Sequence, residues 1–524
     1  MPRLSSRFPW LLILAWLVLY LPRPFRLGLY LDDWWSLIEP LHATAPFSLD
    51  RLHYFVGFET NYGPRPLMGL TAFLVTSIAG PSPKAIQFIS ILLVLAAALS
   101  LRAWLNRLMS VFPQYRSIAA DFVVVFWMAM PWMMGETAWP DVAHNLGAQI
   151  LFTEIARLLL ARERMTAGLA ALVIGGITAS GLIYEAFYFA IFPVVLLYAL
   201  CGRGPAKNPR GLAALLGVCG LGQAIPIAFN RYAANIHAAV TKTFDPGWPK
   251  LVVGNILAMP NTLLNGFHEY RLLGLLLLIT VVVCAVLLWN RARQSESQRL
   301  FCTYLLGLAG VAIAATLIVI VVYSAAGYGF ESLGVGSRSL FAPSFWISIA
   351  VFALVCCVFL PGARSMKAAL LAGSAGLVLV LALAQFHRVA EWAYVWREEL
   401  RILDGAPIQE FSRLPSDAVV FYVGPSEHER IAIFSTRFDL TAAVSSRRPP
   451  SERKRPYQDL IWIYPAYRSR WAWDGTSLVE ASRRGVSRFA VKTLYLWREG
   501  VPRFEPVQPG FRWPPSTAIS QSPP

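Results

Sequence analysis

Two adjacent carboxylates lie beside two indoles near the start of the chain, at residues 31–35 (LDDWW), just beyond the first hydrophobic segment. Acidic side chains this close to a membrane face are costly to place, which favours a functional role for Asp32 and Asp33. A carboxylate held there can take a proton from a hydroxyl group. The alternative is that Asp33 caps an amphipathic helix over residues 34–38 and that the indoles, including that of Trp34, form an interfacial belt. The pair alone leaves both interpretations open.

Further acidic and basic side chains fall in later segments that the topology below places on the same, outer side of the membrane. They are Arg65, Glu136, Asp141, His144, Glu185 and Arg338. Carboxylates and arginines gathered at a membrane surface suggest a base for an acceptor hydroxyl and cations that hold a phosphate leaving group. Arginine binds phosphate bidentately, so it stabilises the phosphate that departs when its bond to an anomeric carbon breaks.

Most of these residues also have a purely structural interpretation. Glu136 and Asp141 could solvate a turn, and Arg65 could lie along the membrane interface. His144 could be a hydrogen-bonded imidazole near an aromatic belt. Arg338, which follows a glycine-rich stretch at residues 327–336, could be an ordinary arginine at the end of a span or could clamp phosphate when that loop closes. Glu185 opens an aromatic, apolar segment, where a role in solvation is hardest to accept.

The composition is that of a polytopic membrane protein. Of the 524 residues, 56% are hydrophobic and 15% are charged, and the mean hydropathy is +0.51, which is far too apolar for a soluble globule. The formal net charge of +16 comes from arginines clustered in short loops. That pattern marks cytoplasmic loops rather than a nucleic-acid surface. All six cysteines fall in apolar segments, so neither a disulfide framework nor a zinc site is expected.

Hydropathy and loop charge together predict about 11 membrane spans. The first runs from residue 8 to 21 behind Arg3 and Arg7, which places the N-terminus in the cytoplasm and Asp32 and Asp33 outside. The apolar pieces at residues 66–80 and 251–264 are too short to cross and are assigned to the outer surface. The remaining predicted spans are 85–105, 119–135, 143–160, 166–183, 184–201, 211–229, 271–289, 300–323, 339–360 and 368–387. In this arrangement, every later basic loop lies on the cytoplasmic side of the membrane.

The predicted fold class is an all-α polytopic membrane protein with outer juxtamembrane helices and a small C-terminal α/β domain on the periplasmic side. Residues 1–388 form the transmembrane domain, 389–510 the outer domain and 511–524 a flexible Pro/Ser-rich tail. The outer domain begins with an amphipathic helix at residues 389–403. Alternating or buried apolar runs predict strands at 417–424, 459–464 and 489–496.

The order of these motifs resembles the C-type (GT-C) polyprenyl-phosphate-sugar glycosyltransferases. A first span is followed by the outer Asp-Asp-Trp, by Arg65 in an Arg-Pro-Leu element, by Glu136 in Glu-Thr-Ala and by Tyr184-Glu185. It is most similar to the branch of the transmembrane tetratricopeptide-repeat O-mannosyltransferases and their bacterial relatives, and the likeness covers about the first two hundred residues. The resemblance implies that Asp32 or Asp33 is the catalytic base. Tyr184 replaces a lysine of that branch, and the C-terminal domain is not a repeat array, so neither that cation nor the acceptor carries over.

The sequence therefore predicts an enzyme of a bacterial inner (cytoplasmic) membrane that moves a sugar from a polyprenyl-phosphate donor to a glycan, lipid or protein acceptor on the periplasmic face. The expected partners are the lipid-linked donor, the acceptor and membrane lipids, with no nucleic acid. A divalent ion, Mg²⁺ or Mn²⁺, would suit the clustered carboxylates, but the sequence does not decide the metal requirement. The alternatives are a lipid or glycan transporter such as a flippase, and a non-glycosyl membrane transferase such as a glycan ligase.

Overall fold

The computed structural model describes most of the chain. The described residues are 9–30, 33–38, 40–41, 44–57, 62–236, 247–331, 334–411, 413–415, 418–425, 427–428, 430–434, 437–447, 461–463, 470–482 and 485–513. The chain divides into two compact units. The first unit comprises Met1–Arg26, Leu52–Val75 and Lys84–Ala390, and the second comprises Leu27–Arg51, Thr76–Pro83 and Glu391–Pro524.

Helices make up most of the described residues. In chain order, the α-helices are α1 (Trp10–Leu19), α2 (Leu49–Val56), α3 (Pro66–Ala79), α4 (Pro83–Met109), α5 (Ile118–Met128), α6 (Met134–Thr137), α7 (Pro140–Ala143), α8 (Leu146–Ala161), α9 (Ala167–Ile183), α10 (Ile191–Leu200), α11 (Pro209–Ile236), α12 (Trp248–Gly266), α13 (Arg271–Ala292), α14 (Glu296–Ala325), α15 (Phe341–Cys356), α16 (Arg364–Asp404), α17 (Ile408–Phe411) and α18 (Arg437–Ser446). Short 3₁₀ helices occur at Arg23–Phe25, Pro131–Met133, Glu185–Phe187, Gly204–Lys207, His268–Tyr270, Gly334–Leu340 and Cys357–Phe359, and a π-helix at Asp33–Ile38.

Among the described residues, six helices are long and apolar enough to cross a membrane. They are Pro83–Met109, Pro209–Ala233, His268–Ala292, Gln298–Ala325, Ser337–Phe359 and Arg364–Asp404. A seventh is formed if Ile118–Met128 and Pro131–Thr137, which meet at an angle of 58°, are one broken span. Shorter apolar helices are Trp10–Phe25, Pro66–Ala79, Ala167–Ile183 and Glu185–Leu200. A mostly helical, multi-pass membrane protein is thus confirmed, while the total of about 11 spans stays a prediction.

The break between α5 and α6 follows from Pro131, which lacks a backbone N–H and cannot continue the helix. The carbonyl of Met128 at the break has hydrogen-bond partners. It accepts hydrogen bonds from the Tyr20 hydroxyl at 2.8 Å and from Gln385 Nε2 at 2.7 Å. Polar side chains in apolar helices commonly take this role, because a backbone group without a partner is costly inside a membrane. The bend thereby becomes a fixed feature, and it carries the residues 131–145 away from the path of α5.

The core of the first unit is built from interlocked aromatic rings. Trp104 of α4 stacks on Phe345 of α15 at 6.0 Å between ring centroids, and Phe152 of α8 meets both rings edge-on. The indole of Trp104 donates a hydrogen bond of 2.8 Å to the hydroxyl of Tyr198. This packing joins α4, α8, α10 and α15, so the loops at both ends of these helices are held in place by large, rigid side chains.

The chain from residue 364 onward differs from the sequence-based expectation. A span at 368–387 and a separate amphipathic helix at 389–403 are predicted, but the structure has one continuous helix, α16, Arg364–Asp404. The sequence has neither glycine nor proline from Leu377 to Asp404, so nothing in it ends the helix at the point where the polarity changes. Gly405 follows the last helical residue, as is common at helix ends.

The second unit contains three small sheets. One has the strand order β4 (Ile461–Ile463), β1 (Ala418–Val423), β8 (Thr493–Arg498), β9 (Glu505–Pro506), in which β1 is parallel to both neighbours. The second sheet is antiparallel, in the order β10 (Phe511–Trp513), β5 (Arg470–Trp473), β6 (Ser477–Ser482), β7 (Gly485–Ala490). The third pairs β2 (Glu427–His428) with β3 (Ile431–Ala432). Buried residues of the first two sheets share a core that includes Phe421, Trp471 and Leu494.

Two of the three predicted strands are confirmed, at β1 and β4. The third, at 489–496, is wrong as a single strand, because it covers the end of β7 and the start of β8, which belong to different sheets. Val491 makes the crossing: its N–H donates to Thr476 O at 2.9 Å and its carbonyl accepts from Trp473 Nε1 at 2.8 Å. Of the segment 511–524, Phe511–Trp513 is the paired strand β10, and residues 514–524 lie outside the described part of the chain.

Candidate active site

Asp33 belongs to the second unit and is the first residue of the π-helix. Its side chain is fully buried, and its Oδ2 accepts a hydrogen bond of 2.7 Å from the N–H of Tyr30. This bond joins the carboxylate to the chain that precedes the π-helix. The capping and the base interpretations of Asp33 both stay predictions. Asp32 lies outside the described residues.

Trp34 is held by a second buried acid that the sequence did not single out. Its Nε1 donates to Glu399 Oε2 at 3.0 Å, and its ring stacks on Trp396 at 5.9 Å between centroids. Glu399 is fully buried on α16, and its other oxygen has no hydrogen-bond partner among the described residues. The negative charges of Asp33 and Asp439 act on Glu399. The second unit thus collects several buried carboxylates, since Asp439 is fully buried and Glu391 is 7% exposed.

In the first unit, Arg65 and Glu185 form a bidentate ion pair. Arg65 Nε donates to Glu185 Oε2 at 2.9 Å, and Nη2 donates to Oε1. The guanidinium also faces the ring of Tyr184, with Cζ 5.2 Å from the ring centroid. Burial disfavours the charged guanidinium, but the Glu185 carboxylate outweighs it and raises the pKa of Arg65 above its ordinary value. Tyr184 therefore supplies a ring face to an existing cation.

Glu136 is the fully buried acid of the bent segment. Neither of its oxygens has a hydrogen-bond partner among the described residues, and the positive charges of Arg338 and Arg65 act on it. Its neighbours in α6 are fixed on both sides: the Gly135 N–H donates to Ser337 Oγ at 2.9 Å, and Thr137 Oγ1 accepts from Arg23 at 2.9 Å. Glu136 does not solvate a turn, and it is presented to the arginines by a rigid backbone.

Arg338 lies in the 3₁₀ helix Gly334–Leu340 and is half-buried. Its Cζ is 5.1 Å from the ring centroid of Trp139 and 5.8 Å from that of Tyr328. Asn255 of α12 orders the preceding turn, because its Nδ2 donates to Tyr328 O at 3.0 Å and its Oδ1 accepts from the Phe330 N–H at 3.2 Å. Contacts with the ring faces of Trp139 and Tyr328 thus orient the Arg338 guanidinium.

Two tyrosines also interact with this group of charged residues. The hydroxyls of Tyr184 and Tyr323, the latter from α14, are 2.8 Å apart and share a hydrogen bond. Electrostatic interactions connect Tyr323 to both Glu136 and Glu185. Tyr323 could not be predicted as a site residue, because it is one aromatic residue among many in an apolar helix. We call Arg65, Glu136, Tyr184, Glu185, Tyr323 and Arg338 the arginine cluster.

Asp141 and His144 have different surroundings. Asp141 is buried and its Oδ1 accepts a hydrogen bond from the hydroxyl of Tyr62, which ties the segment before Arg65 to α7. His144 is 2% exposed, and neither ring nitrogen has a hydrogen-bond partner among the described residues. The structure therefore brings Arg65, Glu136, Glu185 and Arg338 into one electrostatic group, whereas Asp141 supports it from the side.

A divalent ion would need several oxygen ligands. In the described part of the first unit, Glu185 is engaged by Arg65 and Asp141 by Tyr62. Glu136 is the carboxylate of the arginine cluster whose oxygens are unengaged, and two arginine charges already act on it. The arginine cluster consequently does not fit a Mg²⁺ or Mn²⁺ site.

No protein family model and no curated protein matches this sequence. Among solved structures, the chain is similar to the archaeal oligosaccharyltransferase AglB from Archaeoglobus fulgidus, in complex with an inhibitory peptide and a dolichol-phosphate. The TM-score is 0.45 and the sequence identity 12%, over 83% of this chain and 63% of that one. The chain thus spans less than two thirds of the length of that protein, and a likeness this distant carries no conclusion about fold or activity.

Proposed function

We propose that this protein is an integral membrane glycosyltransferase that transfers a sugar from a polyprenyl-phosphate donor to an acceptor on the periplasmic face of a bacterial inner membrane. The observation that carries the proposal is the arginine cluster: two oriented guanidinium groups beside a buried, unengaged carboxylate, in a unit made of apolar helices. Cations held this way suit a phosphate group that gains charge as its bond to the sugar breaks.

Arg65 keeps donors for that phosphate. The ion pair with Glu185 uses Nε and Nη2 of Arg65, which leaves the N–H groups of Nη1, since a guanidinium has five donors. Arg338 is positioned by the faces of Trp139 and Tyr328. Because carboxylates and rings fix both groups before the substrate arrives, little reorganisation is needed when charge develops on the leaving group.

The acceptor hydroxyl needs a base, because it is a weak nucleophile at neutral pH. Following the resemblance in the first outer loop, we assign this role to Asp32 or Asp33. Attack on the anomeric carbon from the side opposite the phosphate inverts its configuration. The proton goes to the carboxylate, and the electron pair of the broken bond goes to the phosphate held by Arg65 and Arg338.

The proposed orientation is supported by contacts among the basic loops of the first unit. Arg203 donates to the carbonyl of Leu108 at 2.6 Å, and Lys207 pairs with Glu163 at 2.8 Å. Three connections that are predicted to be cytoplasmic therefore meet one another at one end of the helices. Basic loops collect on the cytoplasmic side, so we assign this end of the helices to the cytoplasm.

The test is transfer from a labelled polyprenyl-phosphate-sugar by the purified full-length chain in lipid nanodiscs, with Asp32→Asn and Asp33→Asn assayed singly. One of the two should lower the rate by about 10²–10⁴-fold, the usual contribution of a general base. Full activity in both variants would remove the base assignment. Movement of the intact lipid across the bilayer without any transfer would show a transporter instead.

A further inference from the structure

The first unit also contains a group of buried polar side chains within residues 136–149. The group shares Glu136 with the arginine cluster. Glu136, His144, Asn145 and Gln149 are each no more than 2% exposed. Among the described residues, hydrogen-bond partners are lacking for both Glu136 oxygens, both His144 ring nitrogens, Asn145 Oδ1 and both polar atoms of the Gln149 amide. We call these four residues the buried polar group.

Three of these residues are neighbours along the chain. Asn145 follows His144 directly and precedes α8 with helical backbone angles, so Gln149 lies one turn later on the same helix face. The Asn145 side chain is also within hydrogen-bonding reach of the Glu136 carboxylate. A buried polar atom without a partner costs about 1–3 kcal/mol, and native proteins leave few of them. A set this dense points to a polar ligand.

The chemistry of the group fits hydroxyls better than phosphate. Carboxylate and amide oxygens accept hydrogen bonds, the Gln149 amide also donates, and a neutral imidazole does one of each. The indole N–H groups of Trp132 and Trp139, both buried, are further donors without a partner among the described residues. A sugar hydroxyl both donates and accepts, so such a mixed set can serve several hydroxyls at once.

The position of the group beside Arg338 is equally informative. Arg338 lies over the ring of Trp139 at 5.1 Å, and its charge acts on Glu136. If Arg338 holds the donor phosphate, a group bonded to that phosphate can reach Glu136 and the Trp139 segment. The donor phosphate carries the polyprenyl chain and the sugar, and only the sugar has hydroxyls that match these polar side chains.

We propose that the buried polar group is the sugar subsite of the lipid-linked donor, with Asn145 and Gln149 as specificity-determining residues. This inference rests on the proposed function.

The test measures binding of two probes, polyprenyl phosphate and polyprenyl-phosphate-glucose, to the full-length chain in nanodiscs. Gln149→Leu keeps the side-chain volume nearly constant and removes the amide. It should weaken binding of the glucosylated lipid about tenfold, as expected for one or two lost hydrogen bonds, and leave binding of polyprenyl phosphate unchanged. The matched control is Gln223→Leu, because Gln223 of α11 is also a buried glutamine with an oxygen lacking a partner but lies outside the group; it should change neither affinity.

An equal loss for both lipids, or no loss for either, would overturn the subsite. A wild-type measurement avoids any folding defect of the variant: the glucosylated lipid should bind at least about tenfold more tightly than polyprenyl phosphate. Failure of the wild type to bind either of the two probes would instead refute the proposed function. Binding of polyprenyl phosphate and its glucosylated form with the same affinity would refute only the sugar subsite.

Discussion

The two units treat buried charge in different ways. In the first, the arginine cluster combines opposite charges: Arg65 is paired with Glu185, and Arg338 and Arg65 both act on Glu136. In the second, like charges come together, since Asp33, Glu399 and Asp439 are all buried carboxylates and the first and last act on Glu399. Backbone or indole N–H groups hold two of them, through Tyr30 and Trp34.

This difference suggests a division of roles. Guanidinium groups that are already oriented lower the cost of holding a phosphate whose charge increases. Carboxylates that repel one another bind a proton more readily than isolated ones, whereas the N–H donors that hold them act in the opposite direction. The arginine cluster of the first unit is therefore the part of the contrast that suits an anionic group.

The largest effect is expected at Arg338. Arg338→Ala removes a cation that stabilises the departing phosphate, so the transfer rate should fall about 10²–10³-fold. Arg338→Lys keeps the charge but loses the planar fork and should recover only part of the rate. Transfer of label from the lipid-linked sugar measures both.

The control for Arg338 is Arg157→Ala, because Arg157 forms an exposed ion pair with Glu154 three residues earlier. Its removal should leave transfer unchanged. If Arg338→Ala were as active as Arg157→Ala, the first unit would lose its role in holding phosphate.

A stability measurement sharpens the contrast through the Arg65–Glu185 pair. Glu185→Gln leaves a largely buried guanidinium without its carboxylate and should lower the free energy of unfolding by about 1.5–3 kcal/mol. Arg65→Met added to it should cost less than the sum of the two single changes, with a coupling of about 1–2 kcal/mol. Thermal unfolding in detergent gives these values.

The matched cycle uses Glu154→Gln and Arg157→Met. Those side chains are 37% and 47% exposed, against 25% and 30% for Glu185 and Arg65. An exposed pair three residues apart in a helix contributes about 0.3–0.5 kcal/mol. Equal coupling in the two cycles would mean that the Arg65 pair is no more than a surface contact.

In the second unit, removing a buried carboxylate is expected not to lower the free energy of unfolding. Glu399→Gln keeps an oxygen that can accept from Trp34 and removes a negative charge from between two others. The free energy of unfolding should stay the same or rise by up to about 1 kcal/mol, since like charges no longer repel. Chemical denaturation followed by tryptophan fluorescence measures it. A clear loss of stability would show that the Glu399 charge is needed, and the contrast between the units would fail.

Some of this organisation follows from sequence and some does not. The apolar helices and strands β1 and β4 are set by local patterns of hydrophobicity, which is why they are predictable. Arg65, Glu136, Glu185 and Arg338 attract attention because charge is rare in such a chain. Tyr323, Asn255 and Gln149 do not, since one polar or aromatic residue in an apolar helix has no local signature and gains its role from neighbours distant in sequence. Glu399 could not be predicted as a buried acid for another reason: its position in the sequence fits the polar face of an amphipathic helix.

The smallest effect concerns Asp474, an exposed counterpart of the carboxylates that N–H groups hold. Its Oδ1 accepts from the N–H groups of Thr476 at 2.8 Å and Ser477 at 2.7 Å, and these bonds, with the Thr476 hydroxyl, lower the pKa of Asp474 below its usual value. A lowered folded-state pKa adds stability above the unfolded pKa, and this is lost as the pH falls through the folded value. Asp474→Asn should therefore reduce the melting temperature slightly at pH 7 and less at pH 3, because the carboxylate of the unfolded chain is then largely protonated and the difference between the two states has narrowed. A loss that is the same at both pH values would show that the turn needs the shape of the side chain and not its charge, and that N–H donors alone do not favour a carboxylate in this unit.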